Sequence, residues 1–218
     1  MKLSEKLYNH NNKITIALDG PSAAGKGLIG TMLAKEFALT YMQSSIVYRG
    51  LAYVCMQKNI LPEDTSNVIK LSSSVDVIAS VKGIDLNIES LGDIASKISV
   101  LPEVRANLGN YLQEFIKTTP RIVMEGRDIG TVVAPNADLK IFINANVEIR
   151  AERRYKQLLL EGKDCTLSDV LDLLKSRDER DRLRSAAPLK VADDAFVIDA
   201  SYLTPAEIIQ DIKIFVGK

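Results

Sequence analysis

The segment Gly20-Pro21-Ser22-Ala23-Ala24-Gly25-Lys26-Gly27 follows the apolar run Ile14-Thr15-Ile16-Ala17-Leu18-Asp19 without a gap. A strand, a glycine-rich turn with a lysine, and then a helix form a cradle for phosphate. Successive backbone N–H groups in such a turn, with the positive end of the next helix, hold anionic oxygens, and the Lys26 ammonium can reach the terminal phosphates. Gly20 and Gly25 allow the tight turn and the close backbone approach. Gly27 stands where the usual signature has Ser or Thr, and Leu28 carries no hydroxyl. A hydroxyl-assisted magnesium site is therefore not expected, and the metal would rest mainly on the nucleotide phosphates and water, with acidic groups from elsewhere. Asp19 has two readings, orienting a magnesium-bound water or capping the loop.

A second set of charged residues lies far down the chain. Arg177, Asp181 and Arg184 are spaced by four and three and share one helical face, with Arg180 nearby. That face is either a solvated ion-pair array or a site for an anionic, hydroxyl-rich ligand. Arg153 and Arg154 are adjacent and do not share a helical face, so at least one should face outward while the other approaches the site. Arg127 and Asp128, between Gly126 and Gly130, form either a local loop ion pair or part of a recognition loop. His10, the single histidine, has neither a triad nor a metal cluster around it.

The elements that must position these groups follow from periodicity. Strands are predicted at Ile14–Asp19, Ile122–Met124, Leu139–Ile143 and Phe196–Ala200, with a short element at Tyr41-Met42. Helices are predicted from Lys26 to Ala38, around Val47 to Met56, mostly through 62–81, at Ala95–Ile98, and from Val104 to Ile116. Further helices run from Val147 to Glu161, from Thr166 or Ser168 toward Arg184, and from Pro205 to Phe215. Alternation of Ile84, Leu86 and Ile88 predicts a short strand or hairpin over 83–91. Residues 125–130 read as a loop. The pattern is that of an α/β domain with a mostly parallel sheet flanked by helices.

The chain has 218 residues, enough for one large core with a small insertion. Lys plus Arg and Asp plus Glu both total 28, so there is no general polycationic signal for nucleic acid or an anionic membrane, and any anion site must be built locally. Cys55 and Cys165 have no metal-binding spacing and read as unpaired thiols. With no signal-like apolar core near Met1 and no membrane-length apolar run, the expectation is a cytoplasmic protein.

The order of motifs resembles the bacterial cytidylate kinases of the nucleoside-monophosphate kinase group. The resemblance is carried by residues 16–27, Tyr48-Arg49, Glu125-Gly126-Arg127-Asp128-Ile129-Gly130-Thr131-Val132-Val133, Arg153-Arg154, and 177–184 followed by Ala187-Pro188-Leu189. It implies a P-loop kinase fold over 1–218, an acceptor-nucleotide segment near 62–117 and a lid near 150–184. It implies ATP with Mg2+ as phosphate donor and CMP or dCMP as acceptor. Carried over, it assigns ATP binding to Gly20 through Leu28 and catalysis to Lys26, Arg153 and Arg154. It assigns the acceptor phosphate to Ser44, Arg49 and Arg127, and base or sugar contacts to Ser96, Asp128, Arg177, Asp181 and Arg184. An acidic acceptor at Asp128 aimed at the exocyclic amine would favour cytosine over uracil.

Some positions depart from that family. Gln113, counted among the acceptor-binding residues, stands in the place assigned to an arginine that helps read the base, where it can hydrogen-bond but supplies no positive charge, and 88–94 lacks the family's Ile-Arg-Thr-Pro run. Two other functions therefore stay open, a P-loop ATPase or nucleotide-responsive module, and a kinase with relaxed acceptor choice. The oligomeric state is not encoded in any of these motifs.

Overall fold

The structure is a computed structural model that describes residues 2–86 and 88–217. Five strands, β1 (Ile14–Asp19), β2 (Thr40–Gln43), β3 (Arg121–Gly126), β4 (Leu139–Asn144) and β5 (Phe196–Asp199), form one parallel sheet in the order β2-β3-β1-β4-β5. All its C-terminal ends point to one edge, and β1 lies at the centre, where chain connections leave in opposite directions. In open α/β sheets that edge is where ligands sit.

Strand alternation divides the core. Ile14, Ile16, Leu18 and Val123 face α2 (Lys26–Phe37) and α10 (Pro205–Gly217), and the short α1 (Leu3–Tyr8) adds Leu7. Ala17, Ile122 and Met124 face the other way, onto α3 (Ser45–Gln57), α4 (Thr65–Ser74), α5 (Val77–Ser80), α6 (Glu89–Ile98) and α7 (Pro102–Thr118). Pro102 occupies the first turn of α7, where its missing N–H costs nothing. The pair α8 (Val147–Leu160) and α9 (Leu167–Leu183) packs as a hairpin around Ala151, Leu158, Val170 and Leu174. Asn146 caps α8, and Thr166 with Asp169 forms a capping box for α9.

Two expectations need correction. Among the described residues of 83–91 there is no strand: the chain loops to Ile88 and then enters α6, and Asn87 lies outside the described residues. Of the three alternating residues only Leu86 is buried, while Ile84 and Ile88 are 40% and 46% exposed, so the alternation marks one anchor rather than a sheet face. Strand β3 extends through Glu125 and Gly126, and the loop begins at Arg127, leading into a π-helical turn at Ile129–Val133. The N-terminal stretch holds α1, whose signal is the apolar pair Leu3 and Leu7 at i,i+4.

Candidate functional site

At the C-terminal edge of the sheet lies a cleft of about 820 Å³. Its floor is the turn between β1 and α2. Gly20 holds φ +149, and a Cβ there would lie 2.0 Å from the Ile143 carbonyl oxygen. Gly25, the N-cap of α2, holds φ +92. From this turn Ser22, Ala23, Ala24, Gly25, Lys26, Gly27 and Leu28 line the cleft, whereas Gly20 and Pro21 lie beneath its wall.

Lys26 is buried, and its Nζ donates to the Pro21 carbonyl at 2.7 Å. Burial, then the nearby Arg127 guanidinium, brings its pKa down to about 7. Asp19 reaches across to the turn that follows β3. Its two oxygens accept from the N–H groups of Ile129 (2.9 Å) and Gly130 (2.7 Å), so it caps the π-helical turn. Burial raises its pKa to about 6, against these two hydrogen bonds.

The facing wall is collected from several elements. Ser44, buried at the start of α3, donates its backbone N–H to Glu125 O, and Gly126 leaves room for its Oγ, which a Cβ would approach at 2.7 Å. Arg49 donates to the Leu86 carbonyl at 2.7 Å, and Gly92 of α6 leaves space for the guanidinium tips of Arg49 and Arg177. Asp128 accepts from Arg105 Nη2 at 2.5 Å and meets Arg184 Nη2 at 3.5 Å. Asp181 accepts from Arg127 Nε at 2.8 Å and Arg184 Nη1 at 3.2 Å. Arg180 Nε donates to Ser96 Oγ at 3.1 Å and its Nη2 to Asp93 at 2.9 Å. The charged face of α9 is therefore no solvated array: Arg177, Asp181 and Arg184 are buried, and their partners lie mostly on other elements.

The expectation that one of the adjacent arginines turns outward is not met: Arg153 and Arg154 of α8 both line the cleft, because side chains this long reach it from neighbouring sides of the helix. Arg153 Nη2 donates to the carbonyls of Ala200 and Ser201, both at 2.9 Å, while Arg154 leans toward Glu161 at 4.0 Å.

Gln113 is not in the cleft. It lies near the far end of α7, and the arginine that faces Asp128 is Arg105, eight residues earlier and about 12 Å away along the helix axis. Arg105 is buried, with its guanidinium 5.5 Å from the centroid of the Tyr48 ring. A sequence signal existed: Arg105 adjoins the apolar stripe Val104, Leu108 and Leu112, and an arginine in such a stripe needs a carboxylate partner. Arg150 was also missed. Its guanidinium donates to Ala145 O (2.8 Å), Ser22 O (2.9 Å) and Asp178 Oδ2 (2.6 Å).

Glu125 is the third residue that sequence reasoning left without a role. Its buried Oε2 has no hydrogen-bond partner, lies beside Gly27, and would be 3.7 Å from a Cβ there. The Tyr41 hydroxyl bonds to the same carboxylate, and burial, then that negative neighbour, pushes the Tyr41 pKa up. No group of three His, Cys, Asp or Glu side chains converges among the described residues. The unpartnered Glu125 oxygen beside the phosphate loop fits a magnesium ion held chiefly by phosphate oxygens and water, with one carboxylate assisting.

Solved structures share the fold at low identity. A Eubacterium ventriosum protein described as uncharacterized superposes with TM-score 0.55 at 12% identity, covering 94% of this chain and 99% of that one. The shikimate kinase of Bacteroides thetaiotaomicron gives 0.51 at 11% identity, with the same coverage. Sequence relatives are much nearer. Cytidylate kinase of Rickettsia canadensis is 53% identical over 212 residues, covering 97% of this chain and 96% of the relative. Cytidylate kinase of Rickettsia bellii is 51% identical over 216 residues, covering 99% and 98%. The family model described as cytidylate kinase matches residues 16–216, and with these relatives it establishes that the chain belongs to the cytidylate kinase family.

Proposed function

We propose that the cleft transfers the γ-phosphoryl group of ATP, with magnesium, to the phosphate of CMP or dCMP, giving ADP and CDP or dCDP. One observation supports this reading best. The Arg127 guanidinium touches both Ser22 of the phosphate loop (2.8 Å) and Asp181 of the facing wall (2.8 Å). A phosphate on Arg127 would thus lie beside the phosphates held by the loop.

In this mechanism the amides of 22–27, the N-terminus of α2 and Lys26 hold the donor phosphates. Ser44, Arg49 and Arg127 hold the acceptor phosphate, whose own oxygen is the nucleophile; its second proton leaves at about pH 6, so no side-chain base is needed. Arg153 and Arg154 close from the α8–α9 hairpin, residues 150–184 acting as a lid that excludes water and offsets charge on the transferring group. Magnesium, held with help from Glu125, would neutralise charge on the donor phosphates. Residues 62–117 form the acceptor segment.

Base choice follows from Asp128. Arg105 and Arg184 orient its carboxyl group, which retains lone pairs for the exocyclic amine of cytosine. Uracil presents a carbonyl there and meets repulsion instead. Asp181 is held likewise and suits a sugar hydroxyl, with Arg177 and Ser96 beside it. Cys55 and Cys165 are free thiols, the state a reducing cytoplasm maintains.

The test is magnesium-dependent ADP formation from ATP with CMP, dCMP, UMP and AMP supplied separately. Turnover selective for the cytosine nucleotides is expected. ADP formation that ignores the acceptor would instead identify an ATPase.

A further inference from the structure

Ser22, at the apex of the phosphate loop, is held twice. Its carbonyl accepts from Arg150 at 2.9 Å and its hydroxyl from Arg127 at 2.8 Å. Each guanidinium is held in turn by a carboxylate of α9, Arg150 by Asp178 at 2.6 Å and Arg127 by Asp181 at 2.8 Å. Asp178 and Asp181 are three residues apart and share a face of that helix. Two parallel arms from α9 therefore end on one residue of the loop.

The hydroxyl has its proton still to give. Its oxygen accepts from Arg127, and a hydroxyl carries one O–H donor, which accepting from a cation strengthens. The apex is also shaped by its contacts. Ala23 takes φ +59, unfavourable for a residue with a Cβ, and its methyl packs on the Leu158, Val170 and Leu174 core of the α8–α9 hairpin.

We propose that Ser22 is a positioning residue that couples the two nucleotide sites. An acceptor phosphate on Arg127 fixes that guanidinium, and through it the Ser22 hydroxyl and the loop apex, in the arrangement that receives the donor phosphates. Each nucleotide then tightens the other's binding by the same factor, because linkage is reciprocal. The inference rests on the placement of the acceptor phosphate at Arg127 and the donor at the loop.

Calorimetry measures the affinity for the magnesium complex of β,γ-imido-ATP, with and without saturating CMP. In the unaltered protein CMP tightens the analogue about fivefold, the low end of typical coupling. Ser22→Ala brings that factor close to one, and Ser22→Thr, which keeps a hydroxyl, restores it. The proposal is overturned if Ser22→Ala retains the unaltered factor, if Ser22→Thr loses it, or if both nucleotides bind the unaltered protein without coupling. Arg127→Ala separates the underlying reading: CMP affinity unchanged in that variant removes the acceptor phosphate from Arg127, and the coupling with it.

Discussion

The side of the cleft proposed for the donor is one continuous stretch of chain, residues 20–28, whereas the side proposed for the acceptor is gathered from α3, α6, α7, the turn after β3, and α9. The first works through backbone: amides, two glycines at positive φ, and one lysine buried against a carbonyl. The second works through side-chain pairs that cross the molecule, Arg105 with Asp128, Arg127 with Asp181, Arg184 with both. A contiguous site tolerates sequence change wherever backbone geometry survives. A gathered site depends on each partner being present, because a buried guanidinium or carboxylate left alone is costly.

The strongest test of the contrast removes the one side chain on which the donor side depends. Lys26→Met should lower kcat by about 10²- to 10³-fold, as loss of a charge-stabilising donor does. The fold should not suffer, since burial already depresses the Lys26 pKa and an apolar chain relieves that cost. Steady-state kinetics with urea unfolding separates the two effects.

A break in the supporting pairs should do the reverse. Arg150 and Asp178 are 3% and 7% exposed, so Asp178→Ala leaves a buried cation without its carboxylate and should cost about 3–5 kcal/mol of stability in denaturant unfolding.

Within the acceptor wall, Arg105→Gln removes a charged hydrogen bond worth about 1.5–3 kcal/mol. We expect kcat/KM for CMP to fall about 10- to 100-fold with the KM for ATP little changed, and Gln113→Ala to change either by less than about twofold. Equal losses at both positions would contradict the geometry.

The smallest effect is on protons. With a pKa of about 7, Lys26 is mostly neutral at pH 8, and donor phosphates favour its charged form. Nucleotide binding at that pH should take up close to one proton, visible by calorimetry in buffers of differing ionisation enthalpy. Affinity for the donor should fall as pH rises from 7 toward 10.5, and Lys26→Met should remove the uptake. The same depressed pKa means that charged Lys26 opposes folding, so its contribution to stability improves as pH rises through that window.

The contrast also explains what could be read from the sequence. The phosphate loop was legible because its requirements are local: Gly20 and Gly25 must adopt backbone conformations that side chains resist, and they follow an apolar strand at a fixed offset. The parallel sheet was legible through the buried runs of β1, β3 and β4. Arg105 was not, because its value lies in a carboxylate 23 residues away on another element, and counting positions along a family pattern selected Gln113 instead. Over 83–91, alternation of Ile84, Leu86 and Ile88 imitated a strand, yet of these three only Leu86 found a core to enter. Glu125 went unassigned because its carboxylate becomes meaningful only once β3 is laid beside β1, which brings it against Gly27.

The most direct test of the account is a crystal structure of the chain with ADP, magnesium and CMP bound together. The account predicts ADP phosphates on the amides of 22–27 and Lys26, the CMP phosphate on Arg49 and Arg127, and the cytosine amine donating to an Asp128 still paired with Arg105. A CMP whose phosphate lies away from Arg127, or whose base leaves Asp128 untouched, would contradict it.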